Sequence, residues 1–67
     1  MIFVNGEPVD TAEDPTIREV LAELEIDPDT AGIAVAVDAE VARRGDWQTR
    51  RLPDGARVEI VRAVQGG

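Results

Sequence analysis

The 67-residue chain has no cysteine and no histidine, and its seven basic residues are all arginine, so lysine is absent as well. Without thiols, neither a disulfide nor a thiolate zinc site can brace the fold. Without imidazole, the commonest general base and metal ligand is missing. Without a side-chain amine, Schiff-base catalysis and a lysine-bearing P-loop are excluded. Acids outnumber bases by 14 to 7, and the net charge of −7 argues against nucleic acid as a partner, because phosphates need a basic face. No apolar run approaches the roughly 20 residues of a membrane span. The opening MIFVNGEPVD has no basic leader and its apolar run ends at Val4, so no signal peptide is expected and the cytoplasm is the expected compartment.

What the chain does contain is a short, well-punctuated series of elements. A chain of this length forms one domain and buries only about 60% of its unfolded surface, so its core is thin. Met1–Val4 is an apolar β-type run, and Asn5-Gly6 is a hairpin signal because both residues accept positive φ. The return strand Pro8-Val9-Asp10 belongs on a sheet edge, where proline's missing donor is harmless. Thr16 and Glu19 have capping-box spacing at the head of a helix; Asp14 as cap with Pro15 as first helical residue is the other available start. Ile17, Val20, Leu21 and Leu24 make one apolar stripe, with Arg18, Glu19 and Glu23 facing water. Asp27-Pro28 predicts a helix end near Glu25 or Ile26.

The second half alternates. Ile33, Val35 and Val37 project to one side of a strand and cover the helix stripe, while Ala34 and Ala36 project to the other. Glu40–Leu52 is irregular, with Val41, Trp47 and Leu52 as its apolar points and room for a short strand and a crossover. Arg44-Gly45-Asp46 reads as a turn. Pro53-Asp54-Gly55 is a turn before the last strand, which puts Val58, Ile60 and Val64 on one parity and Val61 and Ala63 on the other. Trp47 has two readings, a partner anchor or a cover over the thin end of the core. The acid pairs Asp27/Asp29 and Asp38/Glu40 lack a full ligand set and read as solvated loops. Charge is uneven: residues 1–40 carry eleven acids and one arginine, a net of −10, and residues 41–67 carry six arginines and three acids, a net of +3. That asymmetry either steers a partner toward the C-terminal half or is an ordinary solvated surface.

The order hairpin, helix, strand, crossover, strand predicts an α+β design with one helix across one sheet face, and it fits a β-grasp. The sequence then closes on Gln65-Gly66-Gly67 directly after a strand, where no cap or loop calls for glycine. With so few reactive side chains in the body, the functional group on offer is the terminal carboxylate, ionised near neutrality. A carboxylate becomes an acyl donor once adenylation turns its oxygen into a leaving group. Two residues without Cβ let such an end thread a narrow channel in another enzyme, and three extended residues reach roughly 10–11 Å.

An opening strand into Asn5-Gly6-Glu7, Thr16-Ile17 at the helix head, Gly32–Val37, Asp46-Trp47 and the ending DGARVEIVRAVQGG together resemble the ThiS family of sulfur carriers, over almost the full length. Members often have proline in the crossover where this chain has Ala42-Arg43-Arg44. The resemblance implies a β-grasp (ubiquitin-like) fold, a mixed sheet of four to five strands with one main helix, spanning 1–64, and a flexible tail at 65–67. It implies that Gly67 carries the adenylate and then the thiocarboxylate, with Gly66 and Gln65 threading. It implies no permanently bound cofactor, with ATP and Mg used by the partner. The implied partners are an E1-like adenylyltransferase of the ThiF type, a thiazole synthase of the ThiG type and a sulfur donor protein.

The strand pattern adds a docking face on the side of the sheet opposite the helix. It comprises Ala34, Ala36, Val61 and Ala63, with Arg62 or Arg57 at the rim; the competing reading is that alanines are simply tolerated on a solvated face. Other functions stay open at this stage: the small subunit of molybdopterin synthase, a ubiquitin-like protein modifier, or a plain interaction module with incidental glycines.

Overall fold

The hairpin signal at Asn5-Gly6 sets the first layer. In the computed structural model, which describes residues 1–62, strands β1 (Ile2–Val4) and β2 (Glu7–Val9) pair antiparallel around that turn. Asn5 and Gly6 take φ of 50° and 85°, the mirror-image turn geometry that matches strand twist. Pro8 falls on β2, which is the sheet edge.

Helix α1 (Ile17–Glu23) begins with a complete capping box. The Glu19 amide donates to Thr16 Oγ1 at 3.1 Å, and the Thr16 amide donates to Glu19 Oε1 at 2.8 Å. The cap is therefore Thr16, and the alternative start at Asp14 is excluded, because Asp14 sits at φ 48° outside the helix. Two further N-terminal donors are met from a distant segment: the Ile17 amide donates to the Arg50 carbonyl and the Arg18 amide to the Trp47 carbonyl.

The helix stops slightly before the expected point. Glu25 turns left-handed at φ 59°, its amide donates to the Ala22 carbonyl, and the Ile26 amide donates to the Leu21 carbonyl at 2.8 Å. This two-bond closure satisfies carbonyls that the helix end would otherwise leave bare. It ends the helix at Glu23 with Leu24 as cap, ahead of the constraint from Pro28.

Strand β3 (Ile33–Val37) joins β4 (Glu40–Ala42) through a two-residue turn, Asp38-Ala39, with φ of 49° and 70°. Asp38 also grips the next strand: the Arg57 amide donates to its Oδ1 at 3.0 Å, and its own amide donates to the Arg57 carbonyl. A 3-10 turn (Arg44–Asp46) follows, and β5 (Arg57–Arg62) ends the described chain. The sheet order is β2-β1-β5-β3-β4, with β1 and β5 parallel and every other neighbour antiparallel.

The core lies between helix and sheet, as the alternation predicts. Ile17, Val20 and Leu21 of the helix meet Ile2, Val4, Ile33, Val35, Val37 and Val58 of the strands, and Leu24 is half-buried at the margin. In β4 the smaller apolar residue faces the core: Ala42 is buried, while Val41 points out and is 77% exposed. Its partner in the ladder is Ala36, an outward residue, so Val41 must share that side.

Trp47 is 3% exposed, and its Nε1 donates to the Ala42 carbonyl at 3.1 Å. This settles Trp47 as a cover of the core and excludes the anchor reading. Arg44 closes over it, with its guanidinium 4.6 Å from the ring centroid, and donates to the carbonyls of Pro28 and Thr30. Among the described residues no helix is long and apolar enough to cross a membrane.

Candidate functional site

Two faces of the sheet follow from the register. The face away from the helix carries Ala34 opposite Val61, Ala36 between Glu59 and Val41, and Phe3 opposite Arg57. Among the described residues, the exposed large apolar side chains are Met1, Phe3, Val41 and Val61, and the last three lie on this face. Val61 leaves 58% of its surface in water and Ala34 is exposed, whereas Ala36 is half-buried. The face is therefore flat along the alanines and apolar at three separated points. A depression of about 360 Å³ beside Phe3 is lined also by Gly6, Arg57 and Glu59.

The expected docking residues divide. Ala34, Ala36 and Val61 are neighbours on one surface, as alternation requires. Arg62 follows the parity of Val58 and Ile60, and it lines a groove of about 650 Å³ on the helix side together with Asn5, Leu24, Ile26 and Ile60. Arg57 is the arginine on the alanine face. Ala63, Gln65, Gly66 and Gly67 lie outside the described residues, and so does the boundary expected between domain and tail.

Sequence reasoning missed Phe3 and Val41 as surface residues. The signal for Phe3 was present, since it alternates with the buried Ile2 and Val4. For Val41 the signal was the turn at Asp38-Ala39, which fixes the pairing of β4.

Histidine, cysteine and lysine are absent from the whole sequence, and the ionisable side chains on this face include the Arg57 guanidinium and the Glu59 carboxylate. The acid pairs serve turns: the Asp29 amide donates to Asp27 Oδ1 at 2.9 Å, and Asp38 holds Arg57 as described. Among the described residues no three potential metal ligands gather around one point. The carboxyls displaced from their ordinary range lie elsewhere. The Thr16 amide and hydroxyl lower the pKa of Glu19, and the N-terminal ammonium beside Asp54 Oδ1, at 2.6 Å, lowers that of Asp54. What the site offers is a surface of small and apolar side chains along β5 and β3, on the strand that leads to the C-terminal segment.

A five-stranded mixed sheet crossed by one helix, with its first and last strands parallel at the centre, is the β-grasp or ubiquitin-like architecture. Similarity to known proteins narrows that class. The model of the ThiS family matches residues 2–67. The chain is 37% identical to the sulfur carrier protein ThiS of Thermus thermophilus over 67 residues, covering all of both chains. Its structure superposes on the crystal structure of the thiamine biosynthesis protein ThiS from Geobacter metallireducens with a TM-score of 0.79, at 29% identity, covering 98% of this chain and 97% of that one. A solution structure of a thiamine biosynthesis protein from the same organism gives a TM-score of 0.77 at 31% identity, covering 98% and 86%. The chain belongs to the ThiS family.

Proposed function

We propose that the chain is a sulfur carrier protein of thiamine biosynthesis, a cytoplasmic substrate of partner enzymes and not a catalyst itself. The observation that carries this reading is the extent of the family match, which runs through residue 67 and so takes in Gln65, Gly66 and Gly67. In this reading the Gly67 carboxylate attacks the α-phosphorus of ATP in the site of an E1-like adenylyltransferase, and pyrophosphate leaves. Hydrosulfide, freed from a donor protein's persulfide by a thiol reductant that is oxidised to a disulfide, then attacks the acyl carbon. The acyl C–O bond breaks, AMP departs with its electron pair, and a thiocarboxylate remains that gives sulfur to a thiazole synthase. ATP and Mg²⁺ belong to the partner.

The folded body acts as a handle. Val61, Ala34 and Ala36, with Ala63 next in the alternation of the sequence, seat the adenylating enzyme, and Arg57, paired with Phe3 farther along the same face, borders that seat. Gly66, which has no side chain to obstruct it, threads the channel next to Gly67, with Gln65 following at its mouth.

The test is an intact-mass measurement after incubation with an E1-like adenylyltransferase, ATP, Mg²⁺ and a sulfur donor. The expected result is replacement of one oxygen by one sulfur, absent in a variant lacking Gly67. Conjugates to other proteins would mark a modifier instead, and an unchanged mass would leave only an interaction module. Consumption of the thiocarboxylate by thiazole synthase then assigns the pathway against molybdopterin synthesis.

A further inference from the structure

Turn geometry alone does not explain asparagine at position 5. Positive φ there suits Asn, Asp or Gly alike. The side chain supplies the reason. Strand β1 pairs with β5 through Phe3 and Val4 and then turns away, with the Asn5 amide donating to the Val58 carbonyl at 2.9 Å. At Ile60, the next β5 residue facing this side, the Asn5 side chain takes over from the departed strand. The Ile60 amide donates to Asn5 Oδ1 at 2.9 Å, and Asn5 Nδ2 donates to the Ile60 carbonyl at 3.3 Å. A backbone N–H requires an acceptor and a carbonyl requires a donor, which decides which amide atom faces which. Aspartate offers no donor and glycine offers nothing. Beyond Ile60, Val61 and Arg62 are held through Ala34 and Ile33 of β3.

We infer that Asn5 is a positioning residue for the carrier tail: by clamping β5 at Ile60, it sets the direction in which the chain leaves the sheet toward Gly67. This inference rests on the carrier reading. Gly67 lies seven positions beyond Ile60, a reach of up to ~25 Å when extended. A shift of β5 at the clamp is carried into the start of that reach, against a reacting distance of about 3–3.5 Å. A misplacement of 1 Å costs on the order of a hundredfold in favourable geometry, and the partner's channel recovers part of that by guiding the end.

The test compares wild type with Asn5→Gly, which keeps the turn's φ and removes both side-chain bonds, and with Asn5→Asp, which keeps only the acceptor. Adenylation of the full chain by the activating enzyme with ATP–Mg²⁺ is followed by pyrophosphate release, at a temperature where all three are folded. Amide exchange at Ile60 is read in parallel. Asn5→Gly is expected to lower kcat about tenfold with KM within about twofold, because the alanine face is untouched. Its Ile60 amide should exchange roughly tenfold faster, and Asn5→Asp should retain most of that protection. A wild-type kcat for Asn5→Gly overturns the inference, as does a kcat loss accompanied by an equal rise in KM. Should wild type itself fail to be adenylated, the carrier reading fails; Ile60 exchange then still reads the clamp, and an unchanged rate in Asn5→Gly dismisses it.

Discussion

Replacing Val61 separates docking from folding. Its side chain is 58% exposed and sits opposite Ala34 on the flat face. Burying a whole valine is worth about 1.5–3 kcal/mol, so covering the exposed fraction under a partner is worth ~1–1.7 kcal/mol. Val61→Ala forfeits most of that and should raise KM for the adenylating enzyme about fivefold. Val61→Asp also forces a carboxylate out of water on docking, which brings the expected loss to ~2–3 kcal/mol, or roughly 30- to 160-fold. The fold itself should lose less, since surface strand substitutions span about 1 kcal/mol. The assay is steady-state adenylation at saturating ATP with the carrier varied, beside a thermal melt. Val61→Thr guards against a folding artefact, because it keeps the β-branch and removes only apolar surface, and a KM rise of a few-fold is expected. Equal KM values for wild type and Val61→Asp would show that no partner covers this face during activation.

Thr16→Ala removes the helix cap and should cost about 1 kcal/mol, a fall in melting temperature of roughly 4–8 °C for a domain this small. Glu19 has a folded pKa below its ordinary 4.5, so its contribution is complete above that value and fades as pH falls through the lowered folded pKa. Glu19→Gln keeps the acceptor, and its urea midpoint should therefore decline less than wild type's when pH drops below 4.5; parallel declines would disprove the assignment. Ala39→Gly relieves a left-handed alanine at φ 70° and should stabilise by about 0.5–1 kcal/mol, whereas a lower midpoint would mean the turn is unstrained. Trp47→Phe leaves the buried Ala42 carbonyl without its indole donor and should cost about 2 kcal/mol by chemical denaturation.

Much of the architecture was readable because short-range chemistry points the same way as the global fold. Asn5-Gly6, the Thr16–Glu19 box and the alternation of β3 each act within a few residues, and each appears where the sequence places it. The misses share a cause. Asp38-Ala39 turns a hairpin although alanine is a poor turn former, because the β3–β4 ladder and the grip of Asp38 on β5 override local preference. That turn decides the parity of Val41 and Ala42, so the exposed valine could not be assigned without it. Trp47 was ambiguous for a similar reason: its cover, Arg44, and its acceptor, Ala42, become neighbours only once the crossover folds. The alanine face was legible from periodicity. Phe3 and Val41 complete it only through the register of the whole sheet, and the second bonding role of Asn5 was hidden behind its turn chemistry.

Strand β5 lies between β1 and β3, in the middle of the sheet, and its Arg62 end is where the described chain stops. Traction along the strand axis loads both flanking ladders in shear, so hydrogen bonds on two sides must yield together instead of unzipping singly. A tethered end on an edge strand would peel. Here the anchorage is at the sheet's mechanical centre, so a load reaching Arg62 is shared between two ladders before the domain yields.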